Sequence, residues 1–145
     1  MSIRSGTILL VEDREDDVEL TLRAFHKTRL FNEVAVARDG ADALDYLFAE
    51  GRHVGRIGAP EVVLLDLNLP KISGLDVLRR MRADVRTRRL PVVVLTSSSE
   101  EQDVIASYDL GANSFVQKPV DFTQFAIAAH QLGLYWLVLN RGANR

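Results

Sequence analysis

Cysteine is absent from the 145-residue chain, which excludes disulfides, thiolate metal sites and a cysteine nucleophile. A surplus of one charge is absent as well: 18 lysines and arginines face 20 acids, for a formal net charge of −2. No global field favours nucleic acid or an anionic membrane, and neither is expected as a partner. Long hydrophobic runs are also missing. The most apolar stretch, Leu132 to Leu139, is far shorter than the ~20 residues a membrane span needs. Met1 to Gly6 is polar and has no signal-peptide core behind it. These absences predict a cytoplasmic location. One local concentration of charge, Arg79, Arg80, Arg82, Arg86, Arg88 and Arg89, reads as a solvated helix end and loop rather than a docking patch.

What is present is an ordinary globular balance, 47% hydrophobic and 26% charged, at a length that suits one domain with a sizeable core. Apolar, β-branched runs alternate with helical periodicity. Thr7 to Val11 reads as a buried strand. Glu15 to Arg29 reads as a helix, with Val18, Leu22 and Phe25 on one face and acids in its first turn. A strand at Glu33 to Ala37, a turn at Asp39-Gly40 and a helix carrying Ala43, Leu44, Leu47 and Phe48 follow. Glu50 to Pro60, with three glycines, is a surface loop. Glu61 to Leu65 is apolar enough for the centre of a parallel sheet. A helix from Leu75 to about Arg82 precedes a strand at Val92 to Leu95. Two overlapping S-x-x-E capping boxes in Ser97 to Glu101 start the next helix, which ends at Gly111. Ser114 to Val116 is a fifth strand, and Asp121 begins a last helix. Five strand–helix pairs with short connections predict an α/β, flavodoxin-like, doubly wound sheet with five helices, its site beyond the carboxyl ends of the strands.

Those strand ends are polar in a complementary way. Glu12 and Asp13 follow the first strand, Asp66 and Asn68 the third, Thr96 the fourth and Lys118 the fifth. Clustered carboxylates repel, and a hard divalent cation relieves that repulsion. Oxygen ligands without histidine or cysteine suit Mg²⁺ or Mn²⁺ better than zinc. Because Mg²⁺ takes few carboxylates, one is left to act as a nucleophile, with Lys118 and Thr96 facing the charge of a phosphoryl group. Each residue alone has a plainer reading: Asp13 as a helix-terminus acid, Asp66 as a turn residue, Lys118 as a solvated amine, Thr96 as a strand-end hydroxyl. Their joint placement at four strand ends is what points to an acyl-phosphate site.

The ordered pieces Ile8-Leu9-Leu10-Val11-Glu12-Asp13, Leu64-Leu65-Asp66-Leu67-Asn68-Leu69-Pro70 with Gly74, Val94-Leu95-Thr96-Ser97, Gly111-Ala112 and Lys118-Pro119 resemble the bacterial response-regulator receiver family. The resemblance covers nearly the whole chain. It implies strand order 2-1-3-4-5, a single domain over 1–145 with its core at about 6–140, and a phosphoacceptor switch rather than an enzyme. By it Asp66 is the phosphoacceptor, Glu12, Asp13, Asp66 and the Asn68 backbone carbonyl hold Mg²⁺ or Mn²⁺, Thr96 and Lys118 contact the phosphoryl group, and Phe115 is the aromatic switch. For Phe115 a half-buried strand residue is an equal alternative. The Gly51 to Pro60 loop, Ser107 to Ser114 and Leu132 to Asn140 are similar to small stand-alone regulators that partner phytochrome-type histidine kinases.

No output domain is expected after the last helix, so signalling would pass through surfaces of this domain. Phe122, Phe125, Ala129, Leu132 and Trp136 share one face of that helix, while Ile127, Leu134 and Val138 form a second apolar stripe. A helix apolar on two sides predicts a second burial partner, and a homodimer is the expected one; a chain end folded back over the stripe is the alternative. Two other functions fit less well. An aspartyl-nucleophile phosphatase needs a general acid where Asn68 stands. A flavin-binding protein needs a phosphate loop where Glu12-Asp13-Arg14-Glu15-Asp16 stands.

Overall fold

The computed structural model describes residues 7–27, 33–56, 58–96 and 101–118, together with Thr123 and Ile127. Chain order is β1 (Ile8–Val11), α1 (Glu15–Lys27), β2 (Val34–Ala37), α2 (Gly40–Phe48), a 3-10 turn (Gly51–His53), β3 (Val62–Asp66), α3 (Gly74–Ala83), β4 (Val92–Thr96), α4 (Glu101–Asp109) and β5 (Ser114–Gln117). All pairings are parallel and the sheet order is β2-β1-β3-β4-β5, as expected. Asp66 and Thr96 turn out to be the last residues of their strands rather than the residues after them.

A parallel sheet with helices on both faces needs strands that are apolar on both sides, and every residue of β1 and β3 is buried. Alternation divides the strands into two layers. Ile8, Leu10, Val62, Leu64, Val93, Leu95 and Val116 pack with Val18 and Phe25 of α1. Leu9, Val11, Val63, Leu65, Val92 and Val94 pack with Leu44 and Leu47 of α2 and Val77, Leu78 and Met81 of α3. The caps follow local chemistry. Asp39 accepts from the Asp42 backbone N–H at the start of α2, and Ser73 does the same for Asp76 at the start of α3.

Four α-helices stand among the described residues. Of the fifth, only Thr123 and Ile127 are described, both helical and exposed. The capping serines Ser97 to Ser99 also lie outside the described residues.

The arginine-rich stretch needs one correction. Arg79, Arg80, Arg86, Arg88 and Arg89 are exposed, but Arg82 is not. Its guanidinium donates to the carbonyls of Gly111 (2.7 and 3.1 Å), Arg88 (3.0 Å) and Leu90 (2.8 Å) and to Asn113 Oδ1 (3.1 Å). Burial pulls its pKa below the ordinary arginine value. Arg82 stands one turn after the buried Leu78, so its stem follows the covered face of α3. A planar fork of five donors can then serve several carbonyls at once.

Candidate functional site

Parity along the strands decides which polar side chains meet. Glu12 continues the alternation of Leu10, Asp66 that of Leu64, and Lys118 that of Val116, all members of the α1-facing layer. Val11 pairs with Leu65, and Asp66 with Leu95, so Glu12 and Asp66 stand at the same level on neighbouring strands. Lys118 follows β5 at the same rim. The outcome is a buried charge cluster: Lys118 Nζ lies 2.6 Å from Glu12 Oε1, 3.1 Å from Asp17 Oδ2 and 3.3 Å from Asp66 Oδ2. Glu12 is 1% exposed and Asp66 2%.

Asp13, exposed, completes an oxygen cluster: one carboxylate oxygen from each of Glu12, Asp13 and Asp66 lies within 4.8 Å of the others. Among the described residues Lys118 is the cation that meets Glu12, Asp17 and Asp66 together, while the exposed Arg14 reaches Asp17 alone, at 3.4 Å. Burial, reinforced by the Asp66 charge and opposed by Lys118, pushes the Glu12 carboxyl from its ordinary 4.5 up to about 7. Burial also works against the Lys118 ammonium, but the hydrogen bonds to Glu12 and Asp17 and the charges of Asp66 and Glu12 outweigh it, so its pKa is raised. A glutamate driven toward its neutral form beside two more carboxylates is a site short of positive charge. An all-oxygen donor set with that deficit fits Mg²⁺ or Mn²⁺.

The loop between β3 and α3 is held close to Asp66. The Asn68 backbone N–H donates to Asp66 Oδ1 at 3.3 Å, and the Gly74 N–H donates to the Leu67 carbonyl at 3.0 Å. A Cβ at Gly74 would stand 2.2 Å from the Asp66 carbonyl oxygen, so only glycine permits this return of the chain. Within the loop Lys71 adopts φ 68°, a left-handed conformation rare for a residue with a Cβ, and its Nζ lies 3.2 Å from Asp39 Oδ2.

The expected site residues therefore divide into groups. Glu12, Asp13, Asp66 and Lys118 are brought together. Asn68 is in the adjacent loop, exposed, and touches Asp66 through its backbone N–H. Thr96 ends β4 on the same rim, with its side chain outside the described residues. Phe115 is half-buried, its ring 6.5 Å from that of Tyr108 on α4. Ile127 is 55% exposed, while Leu134 and Val138 lie outside the described residues. Asp17 was legible in the sequence only as a helix-dipole acid, although its place in the first turn of α1, four residues after Asp13, was a usable signal. Sequence reasoning missed the pair of Lys71 with Asp39.

No helix among the described residues is long and apolar enough to cross a membrane. Residues 8–130 match the model of the response regulator receiver domain. A solved structure of the bacteriophytochrome response regulator AtBRR is 54% identical, covers 96% of this chain and 100% of its own, and superposes with a TM-score of 0.87. The probable methanogenesis regulatory protein FilR2 of Methanothrix harundinacea is 40% identical over 92% of this chain and 85% of its own length. Response regulator Rcp1 of Synechocystis is 36% identical over 90% of this chain and 88% of its own. A structure of the Mn²⁺-bound form of Rcp1 superposes with a TM-score of 0.74 at 34% identity, covering 94% of this chain and 96% of its own.

Proposed function

The chain belongs to the response regulator receiver family, and on that premise we propose that it accepts a phosphoryl group on Asp66 from a phosphohistidine of a sensor kinase. The observation that carries the assignment is the contact of one lysine, Lys118, with the buried carboxylates of both Glu12 and Asp66. An oxygen of Asp66 attacks phosphorus, the new O–P bond forms as the P–N bond to the donor imidazole breaks, and the imidazole nitrogen keeps the electron pair. Lys118, already against Asp66, remains beside the added negative charge. Glu12, Asp13, Asp66 and the Asn68 backbone carbonyl would hold Mg²⁺ or Mn²⁺. Such a cation supplies charge neutralisation to the phosphoryl oxygens. Thr96 and Phe115 serve as the switch pair, and phosphorylation shifts an existing equilibrium between two forms of the domain. The protein catalyses only its own phosphorylation and dephosphorylation, and no separate substrate is turned over.

The likeness to AtBRR, at 54% identity, supports a phytochrome-type kinase as the donor and a cytoplasmic setting. The exposed Ile127 on the last helix supports self-association through Ile127, Leu134 and Val138, and light scattering of Leu134→Asp beside the parent tests it: a parent dimer and a monomeric variant are expected. For the site, incubation with Mg²⁺ and radiolabelled acetyl phosphate is expected to label the parent and leave Asp66→Asn unlabelled. Equal labelling of the two would remove Asp66 from the mechanism.

A further inference from the structure

Lys71 is placed where the backbone favours glycine. Its φ of 68° lies in the region where a side chain is strained against the following carbonyl. An ion pair with a lysine this exposed adds little to stability, and the Lys71 side chain is 67% exposed. Stability alone would therefore select glycine at this position. The amine has a specific use instead. Its partner Asp39 already spends one oxygen, Oδ1, on the Asp42 N–H as the cap of α2, and turns the other, Oδ2, to Lys71 at 3.2 Å. Asp39 is thus fixed by the helix before it meets the lysine. The same junction is closed by backbone contact: a Cβ on Gly40, the residue after Asp39, would stand 2.2 Å from the Ile72 carbonyl oxygen. Two residues, Lys71 and Ile72, hold the β3–α3 loop against the first turn of α2. Three residues upstream in that loop, the Asn68 N–H grips Asp66 Oδ1.

We propose that Lys71, through Asp39, is a positioning residue for the cation and phosphoryl site: it fixes the loop that orients the Asp66 carboxylate and the Asn68 carbonyl. This rests on the site assignment made above. Charge and position predict opposite signs for its removal. If Lys71 acted only as a distant positive charge, its loss would strengthen cation binding. If it fixes the loop, its loss weakens binding.

The test is Mn²⁺ titration followed by electron paramagnetic resonance, with acetyl phosphate labelling and thermal melting on the same samples. Lys71→Gly is expected to bind Mn²⁺ about tenfold more weakly and to label about tenfold more slowly, as loss of an outer-shell partner does. It should melt at or above the parent temperature, because the left-handed strain is gone. Lys71→Arg should stay close to the parent on both readouts. Asp39→Asn, which keeps a capping oxygen, should reproduce the loss, and combining it with Lys71→Gly should add nothing. Mn²⁺ binding by Lys71→Gly equal to or tighter than the parent overturns the proposal. So does a loss matched by a fall in melting temperature. Mn²⁺ binding requires no phosphoryl transfer, so a parent that failed to label would sink the phosphoacceptor reading and leave this one to be judged on the titration.

Discussion

Two polar clusters are built into this domain, and they are opposites. At the rim, Lys118 faces the carboxylates of Glu12, Asp17 and Asp66, with Asp13 alongside. Near the far end of α3, Arg82 faces three carbonyls and an amide oxygen, all neutral. The second cluster satisfies its cation with dipoles and asks for nothing further, as a structural tie should. The first has more negative charge than its lysine can offset, and burial, reinforced by the Asp66 charge, raises the pKa of Glu12. Among the described residues no buried side-chain nitrogen or oxygen lacks a hydrogen-bond partner, so the rim's imbalance is one of charge and not of hydrogen bonding. Local imbalance of this kind marks a place where stability has been given up for chemistry.

The contrast can be broken from either side. Removing the rim's cation should act on chemistry: Lys118→Ala is expected to slow acetyl phosphate labelling by about 10²- to 10³-fold, the usual loss for one charge-stabilising group. Arg82→Leu should act on stability instead, by about 3 kcal/mol in urea unfolding, because several carbonyls lose a charged donor together; labelling of the folded variant should match the parent. A rim-like loss of labelling in Arg82→Leu would merge the two clusters into one system.

The raised pKa of the buried Glu12 predicts a pH slope. The Glu12 carboxyl titrates at about 7 in the folded chain against an ordinary 4.5, so between those values the folded state binds more protons than the unfolded state. Stability of the cation-free protein should accordingly be full below pH 4.5 and fall as pH rises through about 7, by up to about 3 kcal/mol. Mg²⁺ should flatten the slope by binding the ionised form; a cation-free protein with a flat profile over that range would show that Glu12 titrates normally. The smallest effect expected is at a plain structural bond. The buried Thr87 hydroxyl donates to the Met81 carbonyl at 2.7 Å, and Thr87→Val should cost about 1 kcal/mol with no change in labelling.

Sheet order and layering were legible in the sequence because five short apolar runs separated by amphipathic segments admit few topologies. Glu12 and Asp66 were legible because a charged residue at the end of an apolar strand must lie at the sheet's rim, and Lys118 because it follows the short last strand at the same end. Arg82 was hidden by its neighbours: within a run of arginines only the register of α3 distinguishes the covered one. Lys71 was hidden for a different reason. A left-handed φ on a lysine carries no compositional mark, unlike the glycines at 51, 55, 58 and 111, which also have positive φ. Asp17 was visible but had a sufficient explanation at the helix N-terminus, and only the reach of Lys118 shows its second contact.

The pairing register of the strands fixes what an insertion or deletion would do. Asp66 sits opposite Leu95, and Thr96 opposite Gln117, so each rim residue owes its place to a count along its own strand. Deleting one residue inside β3, β4 or β5 would pull the rim residue back by ~3.3 Å and reverse the face it presents. The Glu50 to Pro60 connection, which enters β3 at the other end of the sheet, is tied instead to α2, through Arg52 and His53 to Asp42 and Arg56 to the Tyr46 and Leu47 carbonyls. A change in its length leaves the count along β3, and with it the place of Asp66, unaltered.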